Sequence, residues 1–521
     1  MDSAPCLSKK ARVVLVGFED QDNLGLRYLS SRLKQEGHQT RIVHITGKPE
    51  PVFDAVRELN PEIVGFSLIF QFLVPQFATL LAQLRDFGVT SHFTMGGHFA
   101  SFEPETLLRT IPELDSVVRF EGEDTLLELA ERLSNGLDWQ DIKGIALRGA
   151  NGVVLTEGRI GRSNLDELPW PDRDDIDYTG TELPMASLIG ARGCPWRCSF
   201  CSIITFYEGN GTKGRRRRDP VRIVDEIEYL HRERGVKIVL WQDDDFLAGG
   251  KVAIKWAHAI SEECIRRGLN KELRWKISCR SDEVSRESLE PLVAAGLTHV
   301  YMGVESGDRE DLKALNKHLE PSVHLRAGEI LRELGLSFDF GFMILQPWST
   351  IDSVRNNLKF LRDFAGDGAT PVSFCRTLPY AGTPLETRLR EEERLIALDF
   401  NADYKFLDPR LDKFYEWSLG AFADRNHAPT GTANLLRLLI FEAHLRLEGV
   451  SATQRMRVKE MCALSNRLLL DTAEMGLDAI ESEVDVDSTL ELLSGYHAGE
   501  DSRLKNDLAA LVGLTQRRAF A

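Results

Sequence analysis

The sequence predicts an α/β protein in three parts. These are a doubly wound parallel sheet, a second α/β unit that reads as an open, partial (β/α)6 barrel, and a helical C-terminal region. Three observations predict it. Short β-branched apolar runs alternate with amphipathic stretches from residue 12 to about 134, the beat of parallel strands joined by crossover helices. The same beat resumes at Met185 and gives six further strands. Beyond about Glu386 the strand signal fades and only helical periodicity is left.

The first domain is placed at residues 10–136. RVVLVGF at 12–18 is a buried strand bounded by the acidic and polar EDQDN. Leu26, Leu29 and Leu33 then mark a helix that closes at Gly37. Further strands are expected at 40–45, 63–68, 92–95 and 116–119, with helices at 51–59, 76–87, 104–110 and 124–134. Residues 137–184 change character. A hairpin is expected around Asn151-Gly152, followed by the Pro- and Asp-rich linker LDELPWPDRDDIDY. Residues 185–385 carry strands at 186–190, 238–242, 274–279, 299–304, 337–344 and 372–376, with helices between them. Residues 386–521 read as helical, with amphipathic stretches at 433–448, 452–480 and 503–517.

The chain has 521 residues, 43% of them hydrophobic and 28% charged, which excludes a disordered or fibrous protein. The net charge of −16 supplies no broad cationic surface, so nucleic acid is not expected as a partner. The one basic run, Arg215–Arg218, is expected to be mostly solvated surface, with Arg218 structural. There is no transmembrane segment and no signal-peptide pattern over residues 1–12, so a cytoplasmic protein is expected.

Three of the eight cysteines, Cys194, Cys198 and Cys201, lie in GARGCPWRCSFCSI, just after the first strand of the second domain. On the residues alone, three readings are open. The cysteines are buried core, they belong to a zinc site, or they hold an iron–sulfur cluster that keeps one iron open. Structural zinc usually takes four ligands, and no fourth is evident here. In the first domain, the strand-end loops carry Asn23 and Gly25, Ser67, Gly96-Gly97-His98, and Glu121-Gly122. That is the ligand-binding end of a doubly wound sheet. A nicotinamide site is excluded, because no Gly-x-Gly-x-x-Gly follows the first strand.

Cys-x-x-x-Cys-x-Phe-Cys on the first strand-to-helix loop of a barrel resembles the signature of the radical S-adenosylmethionine (SAM) enzymes. NLGL, GGH and EGE resemble the Rossmann-like cobalamin-binding domain fused to one large subclass of them. The resemblance implies a [4Fe-4S] cluster on the three cysteines, with SAM chelating the fourth iron and being cleaved to a 5′-deoxyadenosyl radical, in a TIM-like barrel. It implies SAM contacts from Phe200, from Asp244 in WQDDDF, from Arg280, and from Glu305 and Ser306 in GVESGD. It also implies cobalamin contacts from Asn23, Gly25, Ser67, Gly96, Gly97, His98, Glu121 and Gly122. On the residues themselves Asp244 also reads as a helix cap, Arg280 as a surface arginine, and His98 as a loop hydrogen-bonding residue. FMILQPWST at 342–350 departs from the family's glycine-rich turn, and Asp-x-His-x-x-Gly, which places histidine on cobalt, is absent.

The function so implied is cobalamin-dependent methylation of an unactivated carbon in a small molecule or in a natural-product or lipid precursor. Electrons would come from a donor such as flavodoxin or ferredoxin. The alternatives are a cobalamin-dependent oxidative cyclase or rearrangement enzyme and, in a different class, a non-catalytic iron–sulfur or zinc sensor.

Overall fold

The computed structural model describes residues 9–19, 22–45, 48–179, 183–398, 400–445, 451–482 and 484–513. Residues 20 and 21 of the first loop, residues 446–448 of the helix expected at 433–448 and residues 514–517 of the last expected helix lie outside the described residues. Among the described residues no helix is long and apolar enough to cross a membrane.

The first unit runs β1 (Arg12–Gly17), α1 (Leu24–Gln35), β2 (Gln39–His44), α2 (Glu50–Leu59), β3 (Ile63–Ser67), α3 (Val74–Asp86), β4 (His92–Gly96), α4 (His98–Phe102), α5 (Pro104–Thr110), β5 (Ser116–Val118) and α6 (Glu123–Ser134). Strands β1 to β5 are parallel, in the order β2-β1-β3-β4-β5. The central strands β1 and β3 are apolar without alternation because both their faces are covered. Val14, Val16, Val64 and Phe66 enter one core, and Val13, Leu15 and Ile63 the other. The order reverses between β1 and β3, so the loops after these strands diverge and leave a crevice at their C-terminal ends.

The hairpin expected in the connecting segment, β6 (Ile145–Gly149) and β7 (Gly152–Leu155), belongs instead to this sheet. Strand β6 pairs antiparallel with β5. Ile145, Ala146 and Leu147 are buried there, and the hairpin covers an edge that β5 would otherwise expose. The acidic linker that follows is fastened rather than free. Asp172 accepts from Ser30 and Lys34, and Asp175 pairs with Arg27 at 2.7 Å. Arg173, 3% exposed, bonds Asp22 of the first unit at 2.8 Å and the Ser187 carbonyl of the second at 2.6 Å.

The second unit runs β8 (Met185–Leu188), β9 (Ala191–Arg192), α7 (Ile203–Gly209), β10 (Arg216–Arg217), α8 (Pro220–Arg232), β11 (Ile238–Trp241), α9 (Lys251–Arg266), β12 (Arg274–Arg280), α10 (Arg286–Ala295), β13 (Leu297–Glu305), α11 (Arg309–Ala314), α12 (Pro321–Glu333), β14 (Ser337–Phe342) and α13 (Ile351–Ala365). Strands β8-β11-β12-β13-β14 form one parallel sheet, curved as a partial barrel. The sixth expected strand reduces to one parallel bridge, Leu345 with Arg376. Its backbone is satisfied by side chains from the C-terminal region instead of a ladder. Arg425 donates to the Val372 carbonyl at 2.6 Å, and Asn466 accepts from the Val372 N–H at 2.8 Å.

The C-terminal region is α14 (Pro384–Glu391), a hairpin of β15 (Leu395–Leu398) and β16 (Asn401–Tyr404), then α15 (Pro409–Ala421), α16 (Ala423–His427), α17 (Thr432–Leu445), α18 (Ala452–Ser482) and α19 (Val486–Gly513). The hairpin departs from the all-helical expectation. The last helix starts at Val486, well before residue 503. Helix α17 lies against the lumen face of the barrel strands. Phe441 packs on His299 at 5.1 Å, and Arg437 pairs with Asp339 at 2.9 Å.

Candidate active site

The cysteine loop leaves β8 through Gly193, whose φ of +94° and close approach to the Gly214 carbonyl (2.5 Å from a Cβ placed there) exclude a side chain. Three carboxylates after β11 organise this end of the barrel. Asp243, buried, accepts from the Gly190 N–H at 2.9 Å and pairs with Arg215 at 2.8 Å. Asp244 accepts from the Gly193 N–H at 2.8 Å, next to Cys194, and is otherwise open to the barrel mouth. Enclosure within this cleft pushes its carboxyl up to about 6. The loop's far side is held by Ser199, which donates its N–H to the Leu315 carbonyl at 3.0 Å and accepts from the Leu385 N–H at 2.8 Å.

Cys194, Cys198 and Cys201 are each half-buried and unpaired with another cysteine. Burial pushes Cys194 up to about 12, Cys201 up to about 11, and raises Cys198, whose shift is opposed by Lys317 and Arg280. A group bound there as thiolates must therefore displace protons. Among the described residues no three His, Cys, Asp or Glu side chains converge as the ligands of one ion. Phe200, between the last two cysteines, packs on the barrel core and fixes the loop's path.

The four polar residues expected to meet SAM separate into distinct roles. Asp244 and Glu305 present carboxylates at the strand ends. Glu305 has φ +72°, an uncommon conformation for a side-chain-bearing residue, and is paired at 3.2 Å with the buried Lys317. Gly303 and Gly341 leave the space for this pair. A Cβ on Gly303 would lie 3.0 Å from the Lys317 ammonium, and one on Gly341 3.2 Å from the Glu305 carboxylate. Arg280 is not a surface arginine. It bonds Asp282 at 3.0 Å and the Lys317 carbonyl at 3.0 Å, lies over the Trp196 ring at 4.2 Å, and points one nitrogen at the Cys198 sulfur at 3.8 Å. Its guanidinium is committed to the cysteine loop. Ser306 departs from the expected contact. It is fully buried, its hydroxyl lies 2.9 Å from Asn357 and 3.1 Å from Asp311, and it accepts from the Asp308 N–H, so it shapes the loop from behind. Lys317 carried no sequence signal, because a loop 12 residues further on folds back to place it.

Behind Asp244, the Asp245 and Glu283 carboxyls share a hydrogen bond, and Glu283 is pushed up to about 9 by burial and by Asp245. Glu283 is thus protonated in the folded protein at neutral pH. The cost is absent below the ordinary carboxylate pKa of 4.5 and grows as pH rises toward 9. Glu283→Gln keeps a donor without that cost. Its melting temperature is expected to exceed that of the parent at pH 8 by about 2–4 °C, the shift for roughly 1 kcal/mol in a domain of this size, and to match it at pH 4.5. Equal differences at the two pH values would disprove the shared proton.

The crevice of the first sheet opens into a cavity of about 560 Å³ between the two units. All eight residues expected to meet cobalamin line it: Asn23 and Gly25 after β1, Ser67 after β3, Gly96, Gly97 and His98 after β4, and Glu121 and Gly122 after β5. Only some face it freely. Asn23 caps α1, accepting from the Leu26 N–H at 3.2 Å and donating to the Phe18 carbonyl at 2.9 Å. Glu121 is consumed by Arg192 and Arg216, each at 2.8 Å, which tie the first unit to the strands flanking the cysteine loop. Gly97 has φ +106°, and a Cβ there would fall 2.4 Å from the Leu68 carbonyl. Among the described residues no loop hydrogen bond is seen for His98. Its ring meets Phe206 edge-on at 4.3 Å, and burial pushes it down to about 4, so it is neutral. The other wall, which sequence reasoning missed, comes from the barrel and includes Ile189, Arg192, Tyr207 and Gln242.

The arginine run departs from the solvated surface expected. Arg215 and Arg216 have side chains 3% and 8% exposed and pair with Asp243 and Glu121. Arg217 donates to the Ala248 carbonyl at 2.7 Å, and Arg218 pairs with Glu226 at 2.7 Å. Alternation from Arg215 into β10 sends Arg215 to the barrel and Arg216 to the first unit.

A switch-point cavity walled on one side by Arg192, two residues before a three-thiol loop on a partial barrel, is the arrangement of an α/β enzyme that works with two large cofactors. Residues 12–130 match the B12 binding domain family and residues 188–361 the radical SAM superfamily. An uncharacterized methyltransferase of Pyrococcus horikoshii is 28% identical over 74% of this chain and 82% of its own. The anaerobic magnesium-protoporphyrin IX monomethyl ester cyclase of Cereibacter sphaeroides is 28% identical over 69% of this chain and 58% of its own. The solved structure of the cobalamin-dependent SAM radical enzyme OxsB, with aqua-cobalamin and SAM bound, shares the fold at a TM-score of 0.72 and 17% identity, over 94% of this chain and 75% of that one. The chain belongs to the cobalamin-binding radical SAM enzymes, whose cofactors are a [4Fe-4S] cluster, SAM and cobalamin. The residues present fit these groups. Three soft thiols share one loop, carboxylates face the barrel mouth beside it, and a cavity with glycine-bearing walls lies next to both.

Proposed function

We propose that this enzyme methylates an unactivated carbon of a small molecule. The single observation that carries the reading is the shared wall of the cavity. Ile189, Arg192 and Gln242 of the barrel face it together with Ser67, Gly97 and His98 of the first domain, and Arg192 and Gln242 lead directly along the chain into the cysteine loop and into Asp243-Asp244. The name of the Pyrococcus relative, which this chain matches over most of that protein's length, supports methyl transfer over cyclisation. When bound, the cofactors would supply a hydrogen-abstracting radical and a methyl donor.

The chain's own residues have definable tasks. Cys194, Cys198 and Cys201 hold the cluster. Asp244 and Glu305 receive the polar end of SAM, with Lys317 and Arg280 offsetting the negative charge of the thiolates. The ring of Phe206, lodged against His98 and 5.5 Å from Phe120, shuts water out where the two domains meet. Electrons would come from a cytoplasmic flavodoxin- or ferredoxin-type donor. The test is incubation of the reconstituted enzyme with SAM, methylcobalamin, reductant and a candidate substrate. Formation of S-adenosylhomocysteine and 5′-deoxyadenosine together is expected. 5′-Deoxyadenosine without S-adenosylhomocysteine would move the enzyme to cyclisation or rearrangement.

A further inference from the structure

The barrel lumen below the cofactor sites has its own chemistry. Successive lumen-facing layers can be read from strand register. Leu240, Lys276, His299 and Ser337 stand at one level. Ser278, Tyr301 and Asp339 stand one layer up, and Arg280, Gly303 and Gly341 above them. The lumen is open at mid-height. Tyr301, in the middle of a central strand, is 38% exposed, and Cys375 on the sixth segment is also exposed. The walls at this height are polar, with Ser278, Tyr301 and Cys375 facing the space.

The floor carries net positive charge. Asp339 is neutralised by Arg437 of α17 at 2.9 Å, and Arg437 also donates to Ser373. Lys276 has no hydrogen bond or ion pair among the described residues, and Asp339 acts on it only through space. Beneath it the lumen is closed by Phe441 against His299 and by Leu445 against Leu240. Burial lowers the Lys276 pKa and holds His299 neutral, and Asp339, the carboxylate that acts on Lys276 through space, is already paired with Arg437. An ammonium desolvated without a partner is costly unless a ligand supplies the anion.

We propose that Lys276 at the lumen floor binds an anionic group of the substrate, a carboxylate or a phosphate. The substrate is then a polar, water-soluble anion and not a hydrocarbon lipid. About 13 Å of strand rise separates Lys276 from the Arg280 layer, room for a small molecule to stand with its anionic end down and its reacting carbon at the cofactor level. This assignment of substrate class rests on the methyltransferase reading only for which end of the substrate reacts. The anion site itself does not depend on that reading.

The test needs no bound cofactor. The full-length protein is acetylated with isotope-coded acetic anhydride at mildly alkaline pH, alone, with inorganic phosphate and with succinate, and each lysine is read by mass spectrometry. One anion is expected to slow labelling of Lys276 about threefold or more, as a direct charge-assisted contact would, while exposed Lys313 and Lys359 are unaffected. Protection by phosphate assigns a phosphorylated substrate, and protection by succinate a carboxylate. Titration calorimetry of the protecting anion is expected to show about tenfold weaker binding to Lys276→Gln and near-parental binding to Lys276→Arg. Undiminished labelling with both anions, or equal anion affinity in Lys276→Gln, would overturn the proposal. SAM and cobalamin uptake by Lys276→Gln is read in parallel. Loss of anion binding with normal uptake confines the effect to the floor. Failure of parental protein to take up either cofactor would strike the methyltransferase reading and leave the anion result standing.

Discussion

Replacing Cys194, Cys198 and Cys201 together by alanine is expected to remove all bound iron and all SAM cleavage. The loop they occupy is built to keep its shape without them. Gly193 is held by Asp244, and Ser199 is held on both sides by the Leu315 carbonyl and the Leu385 N–H. The variant should therefore fold, with melting temperature and far-ultraviolet circular dichroism close to those of the apo parent. Truncating three half-buried thiols removes little packing, and their raised pKa values mean no buried charge is lost. Iron and sulfide analysis after anaerobic reconstitution should give about four of each in the parent and none in the variant. Retention of about four irons in the variant would sink the assignment. Zinc in the parent in place of iron and sulfide would point to the sensor class instead.

The second large effect concerns cobalamin. Reconstituted protein should bind one cobalamin per chain, and Gly97→Val should abolish uptake while leaving the iron content unchanged. At φ +106°, with the Leu68 carbonyl 2.4 Å from any Cβ, the β4 loop cannot hold a branched side chain without moving away from the cavity. A residue forced into such backbone costs about 1–3 kcal/mol, and the loop is the part of the domain that can yield. The cobalt should carry no protein nitrogen. The position three residues before Gly25 is Asp22, not histidine, and its carboxylate is taken up by Arg173, Tyr178 and the Ser187 N–H. The electron paramagnetic resonance spectrum of the Co(II) state should lack nitrogen superhyperfine splitting. The neutral His98 ring lines the same cavity, so a splitting that disappears in His98→Ala would make His98 the ligand. Full cobalamin binding by Gly97→Val would remove the β4 loop from the site.

The amino-acid sequence by itself determined the two α/β units and the three thiols. Both rest on local signals. Runs such as RVVLVG, short, β-branched and apolar throughout, read as strands buried on two faces, and a cysteine spacing is read without knowing where the loop lies. It also brought out the glycine-bearing loops that line the cavity, because strand ends of a doubly wound sheet converge whatever the side chains are. The tertiary structure decided everything that depends on long-range partners. It moved the 145–155 hairpin from the linker to the edge of the first sheet, because β5 lacked an antiparallel neighbour. It reduced the sixth barrel strand to one bridge, because Arg425 and Asn466, more than 50 residues away, satisfy its backbone. It turned an apparently solvated arginine run into buried clamps on Asp243, Glu121 and Glu226. It withdrew Ser306 behind its loop, committed Arg280 to the cysteine loop, and brought in Lys317 beside Glu305. It also left Lys276 uncompensated on the lumen floor. A charge is read in sequence as one residue, but whether it is paired, buried or waiting for a ligand is set by which distant strands and helices fold against it.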